Sequence, residues 1–338
     1  MSLNVLVTAG SRRVPLVRAF SRALADLGVF GTVVVADVNP MSPAVHIADR
    51  AYRVPLANHP SYVDQIAAIC QRERIGLIVP TIDDELPLFG GMRDAFQAMG
   101  VRVAASAQAT AELCDDKFDL CRYLRTRGLP AAESYLPAHL PAALAPPLFI
   151  KPRRGRGSVG AYTIRTRREL DFFLEYVNDP VVQEFLDGAE YTIDMLCDFD
   201  GRPLSIVPRE RVVIRSGVTD RGRTTDDRSL IDLAMACAST LPFAGAVNIQ
   251  CRMTARGPVI FEINPRFSGG IPLTIAAGAD FPRMLVELAL GRRVHPQIGR
   301  FRAGLWMTSY ESSLFLPDGA ASLLEPHGVG EPVIKEVA

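Results

Sequence analysis

No two of the six cysteines (Cys70, Cys114, Cys121, Cys197, Cys237, Cys251) stand in a C-x-x-C pair. A disulfide framework or a cysteine-held zinc site is therefore not expected, and reduced thiols in a cytoplasmic protein are the default. The five histidines (His46, His59, His139, His295, His327) form no metal-spaced cluster. There is no Ser-His or Cys-His constellation for nucleophilic catalysis either. The formal net charge is zero, which argues against a dedicated nucleic-acid or anionic-membrane surface. No apolar run reaches the ~18–20 residues of a membrane span. The longest, from Leu230 to Val247, is interrupted by Asp232, Ser239, Thr240 and Pro242. Asn4-Val5-Leu6-Val7-Thr8 is strand-like with no basic segment before it, so a secretory leader is not expected. What is present is ordinary globular material. The chain has 338 residues, 48% hydrophobic and 22% charged, enough for two or three domains with a substantial core.

Roughly the first third alternates strand and helix signals. Val5–Val7, Val33–Val35, Leu77–Val79 and Val101–Ala104 read as strands, and Val14–Leu27 and Tyr62–Arg72 as helices. Short apolar runs separated by helices predict a parallel α/β sheet. The first turn, Thr8-Ala9-Gly10-Ser11-Arg12-Arg13, has one glycine where a dinucleotide fingerprint needs three. A structural α/β domain contributing part of a substrate site is the better reading than a nicotinamide site. Further on, Leu113–Arg127 reads as one helix and Pro137–Pro147 as a loop. A strand (Leu148–Lys151), a Gly/Arg loop, a strand (Ala161–Arg165), a helix (Arg168–Val177) and a strand (Val181–Gln183) follow. Tyr191–Phe199 and Leu204–Ile214 predict a hairpin about Asp200-Gly201. A helix at Leu230–Leu241 and strands at Ala246–Met253 and Val259–Ile263 complete a mostly antiparallel sheet, and the tail beyond ~315 carries few signals.

Three segments carry candidate chemistry. In Lys151-Pro152-Arg153-Arg154-Gly155-Arg156-Gly157-Ser158-Val159-Gly160 a lysine at a strand end precedes a glycine loop. Backbone N–H groups there can approach an anion closely. It is not a P-loop, because the lysine comes first, and a flexible basic turn is the competing reading. In Gln183-Glu184-Phe185-Leu186-Asp187-Gly188-Ala189-Glu190 a strand passes through a turn into another strand. Such a hinge can offer backbone groups to a purine edge, with Glu190 near ribose hydroxyls, or it is a solvated turn. Finally, Gln250, Glu262 and Asn264 alternate along neighbouring strands, so they share one face. Oxygen ligands with few carboxylates suit Mg²⁺. The alternative is the polar side of a half-buried sheet.

Together and in this order, the three segments resemble the ATP-grasp superfamily, in particular one half of the carbamoyl phosphate synthetase large subunit and ATP-dependent carboxylate–amine ligases. The resemblance covers about residues 105–290 and implies an α/β and α+β fold. An N-terminal parallel Rossmann-like domain (1–106) would precede a small lid subdomain (107–185) and a larger antiparallel-sheet subdomain with the C-terminal tail (186–338). It implies nucleotide contacts from Lys117, Lys151, the mobile lid Gly157-Ser158-Val159-Gly160, the adenine hinge Gln183-Glu184-Phe185-Leu186, the ribose acid Glu190, and Arg215. It implies Mg²⁺ on Gln250, Glu262 and Asn264, with Mn²⁺ as a substitute, and catalytic roles for Arg266 and Lys151 beside the transferring phosphoryl group. Gln250 departs from the acid often found at its position, leaving these ligands one formal negative charge.

The implied chemistry is two-step: a carboxylate takes the γ-phosphoryl group of ATP, and an amine then displaces phosphate to give an amide. Phosphoryl transfer needs positioning and charge neutralisation rather than a protein nucleophile. The expected partners are a small-molecule carboxylate and amine, with no nucleic acid, no membrane, and a homodimer admitted as the assembly. Phosphorylation of bicarbonate or carbamate, and a non-catalytic ATP-binding protein, are the alternatives. Arg209 and Arg211 alternate onto one face and would suit a substrate carboxylate, against the reading of a solvated edge strand. Ser268-Gly269-Gly270 is expected to floor the site. Asp83-Asp84-Glu85 is expected to meet a substrate amine or to be an acidic helix start.

Overall fold

The computed structural model describes residues 1–317, and the rest of the C-terminal tail lies outside the described residues. The chain opens with β1 (Asn4–Thr8), α1 (Val14–Asp26), β2 (Val33–Asp37), α2 (Pro43–Ile47), β3 (Arg50–Arg53), α3 (Tyr62–Arg72), β4 (Ile75–Val79), α4 (Leu86–Gly91), α5 (Arg93–Ala98) and β5 (Arg102–Val103). The five strands form a parallel sheet in the order β3-β2-β1-β4-β5. β1, β2 and β4 are almost wholly buried, as a sheet covered on both faces requires. The sequence pattern missed α2 and β3. Each is only four or five residues long, too short for a period to register. β1 and β4 are neighbours although β2 and β3 lie between them in sequence, so a crevice opens at their C-terminal ends.

Next come α6 (Gln108–Asp115) and α7 (Lys117–Thr126). The single helix expected over 113–127 is thus two, broken at Asp116, whose backbone is extended and whose carboxylate caps α7 by accepting the Asp119 N–H at 3.1 Å. Then follow β6 (Ser134–Tyr135), β7 (Leu148–Pro152), β8 (Tyr162–Ile164), α8 (Arg167–Tyr176) and β9 (Pro180–Glu184). These strands form a small antiparallel sheet, β6-β9-β7-β8, with its own core of Leu148, Ile150, Ile164, Leu170 and Val182.

The remainder is β10 (Ala189–Cys197), β11 (Pro203–Arg215), β12 (Val218–Thr224), α9 (Arg228–Thr240), β13 (Gly245–Thr254), β14 (Gly257–Asn264), α10 (Ile271–Ala276), α11 (Phe281–Ala289) and β15 (Trp306–Thr308). The six strands order as β14-β13-β10-β11-β12-β15, antiparallel throughout. β12 corrects the expectation of a polar loop through Arg223. Its pattern of polar side chains over glycine hides the strand, but pairing with both β11 and β15 supplies its ladder. β11 is therefore interior to the sheet, not a solvated edge. Packing also cuts across the boundary expected at residue 186. Leu120 and Leu124 of α7 share one core with Ile193, Val247, Ile260 and α9. Pro130 accepts the Ile260 N–H at 2.8 Å, which ties the end of that helical pair to β14.

Candidate functional site

A cleft of about 900 Å³, counted with its open mouth, separates the small sheet from the six-stranded one. Its walls bring together segments far apart in sequence: Lys117; Phe149 and Lys151 of β7; Gln183 to Leu186; Glu190; Arg211 and Ile214 of β11; Gln250 and Arg252 of β13; Phe261 and Glu262 of β14. Over them hangs the loop carrying Gly155, Arg156, Ser158 and Val159.

Lys151 is the penultimate residue of β7 and is 5% exposed. Its Nζ donates to the Phe261 carbonyl at 3.1 Å and lies 5.1 Å from the centre of the Phe261 ring. Burial lowers its pKa, and the Glu262 carboxylate pulls back the other way. Lys117 opens α7, where the helix dipole disfavours a cation. A buried lysine in that place is not there for helix stability. Its Nζ donates to the Gly155 carbonyl at 2.7 Å and sits 4.0 Å from Glu262 Oε1. Lys117, from a helix packed on the six-stranded sheet, and Lys151, from the small sheet, thus converge on one carboxylate.

Strand register builds the other wall. Gln250 faces Glu262 and Asn248 faces Asn264 across the β13–β14 ladder, so all four project to one side. Sequence reasoning found three of them and missed Asn248, although the two-residue spacing to Gln250 was there to be read. Asn248 donates to the Asn264 and Arg266 carbonyls at 3.2 and 3.1 Å, holding the strand end. Gln250 Oε1 accepts from Arg211 at 3.1 Å, and a carbonyl oxygen keeps a second lone pair. Oxygen donors with a single carboxylate suit a hard cation that retains waters and borrows phosphate oxygens. Zinc-type ligation is not offered: among the described residues no three His, Cys, Asp or Glu side chains are grouped to hold a metal ion.

The glycine loop is shaped for close approach. Gly155, Gly157 and Gly160 all take positive φ, as does Ser158 at 58°, conformations that only glycine adopts without strain. Val159 is 78% exposed at the tip. The base of the loop is bolted down, with Arg153 on Asp116 and Asp119 at 2.8 and 3.0 Å and Arg154 on Asp116 at 2.7 Å.

Other expected residues fall differently. Gln183 lines the cleft, but its side-chain amide is spent on Ser134 Oγ at 2.9 Å. Glu184 holds Arg256 at 2.6 Å. Glu190 lines the cleft with both oxygens engaged, by Arg211 at 2.7 Å and Arg252 at 2.8 Å. Arg215 is not brought to the cleft: it is exposed at the end of β11, paired with Asp220 and Glu311, because the β11–β12 hairpin carries it outward. Arg209 is wholly buried and bound to Asp194 at 2.7 and 3.1 Å, so it is no open substrate donor. It also donates to Ser268 at 2.9 Å, behind the Ser268-Gly269-Gly270 loop. Arg266 follows Pro265 and grips Asp83 through both sides of its fork, at 2.9 and 2.7 Å. Asp83-Asp84-Glu85 is a 3-10 turn, and protein groups occupy all three acids. The turn is an acidic start to a helical segment, as one half of that expectation had it.

The family "ATP-grasp in the biosynthetic pathway with Ter operon" matches residues 177–312. The fold is that of the ATP-grasp proteins. A "PylC-like, N-terminal domain" model matches residues 5–104, the parallel sheet ahead of the ATP-grasp region. The chain is 21% identical over 314 residues to the carbamoyl phosphate synthase large chain of Thermoanaerobacter sp., covering 84% of this chain and 28% of that one. It therefore spans little more than a quarter of the relative's length. Among solved ATP-grasp structures, the L-amino acid ligase of Bacillus licheniformis superposes with a TM-score of 0.68 at 19% identity, over 89% of this chain and 77% of the other. The biotin carboxylase domain of Hydrogenobacter thermophilus 2-oxoglutarate carboxylase, in complex with MgADP, ADP and bicarbonate, has a TM-score of 0.68 at 16% identity, over 89% and 73%. Among the described residues no helix is long and apolar enough to cross a membrane.

Proposed function

We propose that this protein is an ATP- and Mg²⁺-dependent ligase that activates a small-molecule carboxylate as an acyl phosphate and joins it to an amine. The observation that carries the reading is the convergence of Lys117 and Lys151 with Glu262 across the cleft. That pairing of two cations with a strand-borne carboxylate suits a triphosphate and its metal. The MgADP complex of a structural neighbour and the ligase name of another point the same way.

Bound Mg²⁺ would neutralise charge building on the transferring oxygens. Glu262, Asn264 and Gln250 would hold it. Lys151 and Lys117 place positive charge opposite the phosphates, in a site where burial strengthens each contact. The hinge from Gln183 to Leu186 borders the space left for a base. Substrate carboxylate attacks the γ-phosphorus of ATP and ADP leaves. The amine then attacks the acyl carbon and phosphate departs with the C–O bond electrons. Residues 155–160 exclude water, which would otherwise hydrolyse the acyl phosphate.

ADP release in a screen of carboxylates paired with amines tests this. Release that needs both partners supports the ligase. Release with bicarbonate alone moves the assignment to carbamoyl phosphate synthase-like phosphorylation, the reading favoured by the sequence relative. Mg-ATP binding without turnover on any pair leaves a nucleotide-binding protein.

A further inference from the structure

Asp83, Asp84 and Glu85 occupy one 3-10 turn directly after β4, and a different part of the molecule holds each. Glu85 is buried and accepts from the Tyr62 hydroxyl and, at 2.7 Å, from Thr8 Oγ1. That roots the turn in the N-terminal sheet. Asp83 accepts both sides of the Arg266 fork, on the segment that immediately follows the Glu262–Asn264 strand end. Asp84 accepts from Arg156 in the glycine loop. Two catalytic-site segments that are remote in sequence therefore meet the N-terminal domain on adjacent residues.

Neighbouring contacts make the junction stiff. Arg13, in the loop after β1, donates to the Phe267 and Ser268 carbonyls at 3.0 Å each and to the Thr81 carbonyl at 3.1 Å. Thr81 in turn donates to the Thr8 and Ala9 carbonyls at 3.0 and 2.9 Å. On the far side of the glycine loop, Gly217 of the β11–β12 hairpin packs directly on the Gly157 backbone.

We infer that Asp83 and Asp84 are positioning residues that couple closure of the glycine loop to the orientation of Arg266. The inference rests on the ligase reading above. A turn this short, anchored by Glu85, has little freedom to yield at one carboxylate without moving the next. When the loop closes, Arg156 reaches Asp84, and the turn presents Asp83 to Arg266 in its bidentate geometry. With the loop open, Asp84 loses its partner and the turn is held at fewer points. Neither acid touches the reacting atoms; both act through an arginine.

Hydrogen exchange of segments 153–160 and 265–270, with and without Mg-ATP, tests the coupling in the full chain. Mg-ATP is expected to protect both segments of the unmodified protein. In Asp84→Asn, protection of 153–160 should fall by about two- to fivefold, the size of an exposed ion pair's contribution. Protection of 265–270, which Asp84 does not touch, should fall with it. The exchanged pair Asp84→Arg with Arg156→Asp should restore both, and Asp83→Asn should lower kcat more than it raises KM for ATP. Loss confined to 153–160, or failure of a folded exchanged pair to restore protection, overturns the inference while Mg-ATP binding leaves the ligase reading standing. If Mg-ATP neither protects nor thermally stabilises the unmodified protein, the ligase reading fails and the inference falls with it.

Discussion

Gln250 and Glu262 stand directly opposite each other on β13 and β14, and only Glu262 brings a formal charge. Replacing Glu262 with alanine should therefore remove the one anionic donor of the proposed metal site and lower Mg-dependent ADP release on the order of 10²-fold or more, the usual loss when a preorganised electrostatic contact goes. Glu262 is partly exposed in the cleft, so the melting temperature should hardly move. Steady-state kinetics with a parallel thermal melt checks this. Undiminished turnover would remove Glu262 from the metal site.

Glu85 should make stability fall with rising pH. Burial pushes its pKa up to about 7, against the hydrogen bonds from Tyr62 and Thr8 and with the help of the nearby Asp37 and Asp84 carboxylates. The folded state thus binds a proton that the unfolded state has already released. The stabilisation tied to that proton is fully present below the ordinary glutamate pKa and is lost as pH rises through about 7. Denaturant unfolding at pH 5.5 and 8 should differ by roughly 2 kcal/mol from this group, and Glu85→Gln should flatten the difference.

Arg209 and Asp194 form an ion pair with both side chains 1% exposed. Thr274 also donates to the Asp194 carboxylate, at 2.5 Å. Arg209→Met alone should cost about 3–5 kcal/mol because it strands a buried carboxylate. The double change Arg209→Met with Asp194→Leu should recover much of that loss. Equal destabilisation of the single and double variants in urea melts would show that packing rather than charge sets the cost.

Gly217→Ala should disturb the glycine loop from outside the cleft. Gly217 has a φ of +74°, and an added Cβ would come within 2.8 Å of the Gly157 carbonyl carbon. The β11–β12 tip would have to move off the glycine loop. We expect KM for ATP to rise severalfold while the fold persists, with about 1 kcal/mol of backbone strain. An unchanged KM in a variant of normal stability would show that the hairpin does not brace the loop.

Much of the architecture was legible because periodicity is local. Tyr62–Arg72 matches its expected helix residue for residue, and Gln250, Glu262 and Asn264 share a face because strand side chains alternate. Where local pattern and tertiary context disagree, context prevails. β12 is a strand because β11 and β15 offer it a ladder, and Asp116 breaks a helix because its carboxylate caps the next one.

Order and alternation along the chain settle which residue types the cleft holds and on which face of each strand they lie. Partnering is different, because it belongs to the packed molecule. Packing sends Arg215 to the surface, seals Arg209 against Asp194, and sets Asp83 and Asp84 between Arg266 and Arg156. Those pairings span up to 183 residues, and a charge carries no local sign of its distant partner. Burial and close approach select the partner, and both exist only once the sheets have packed.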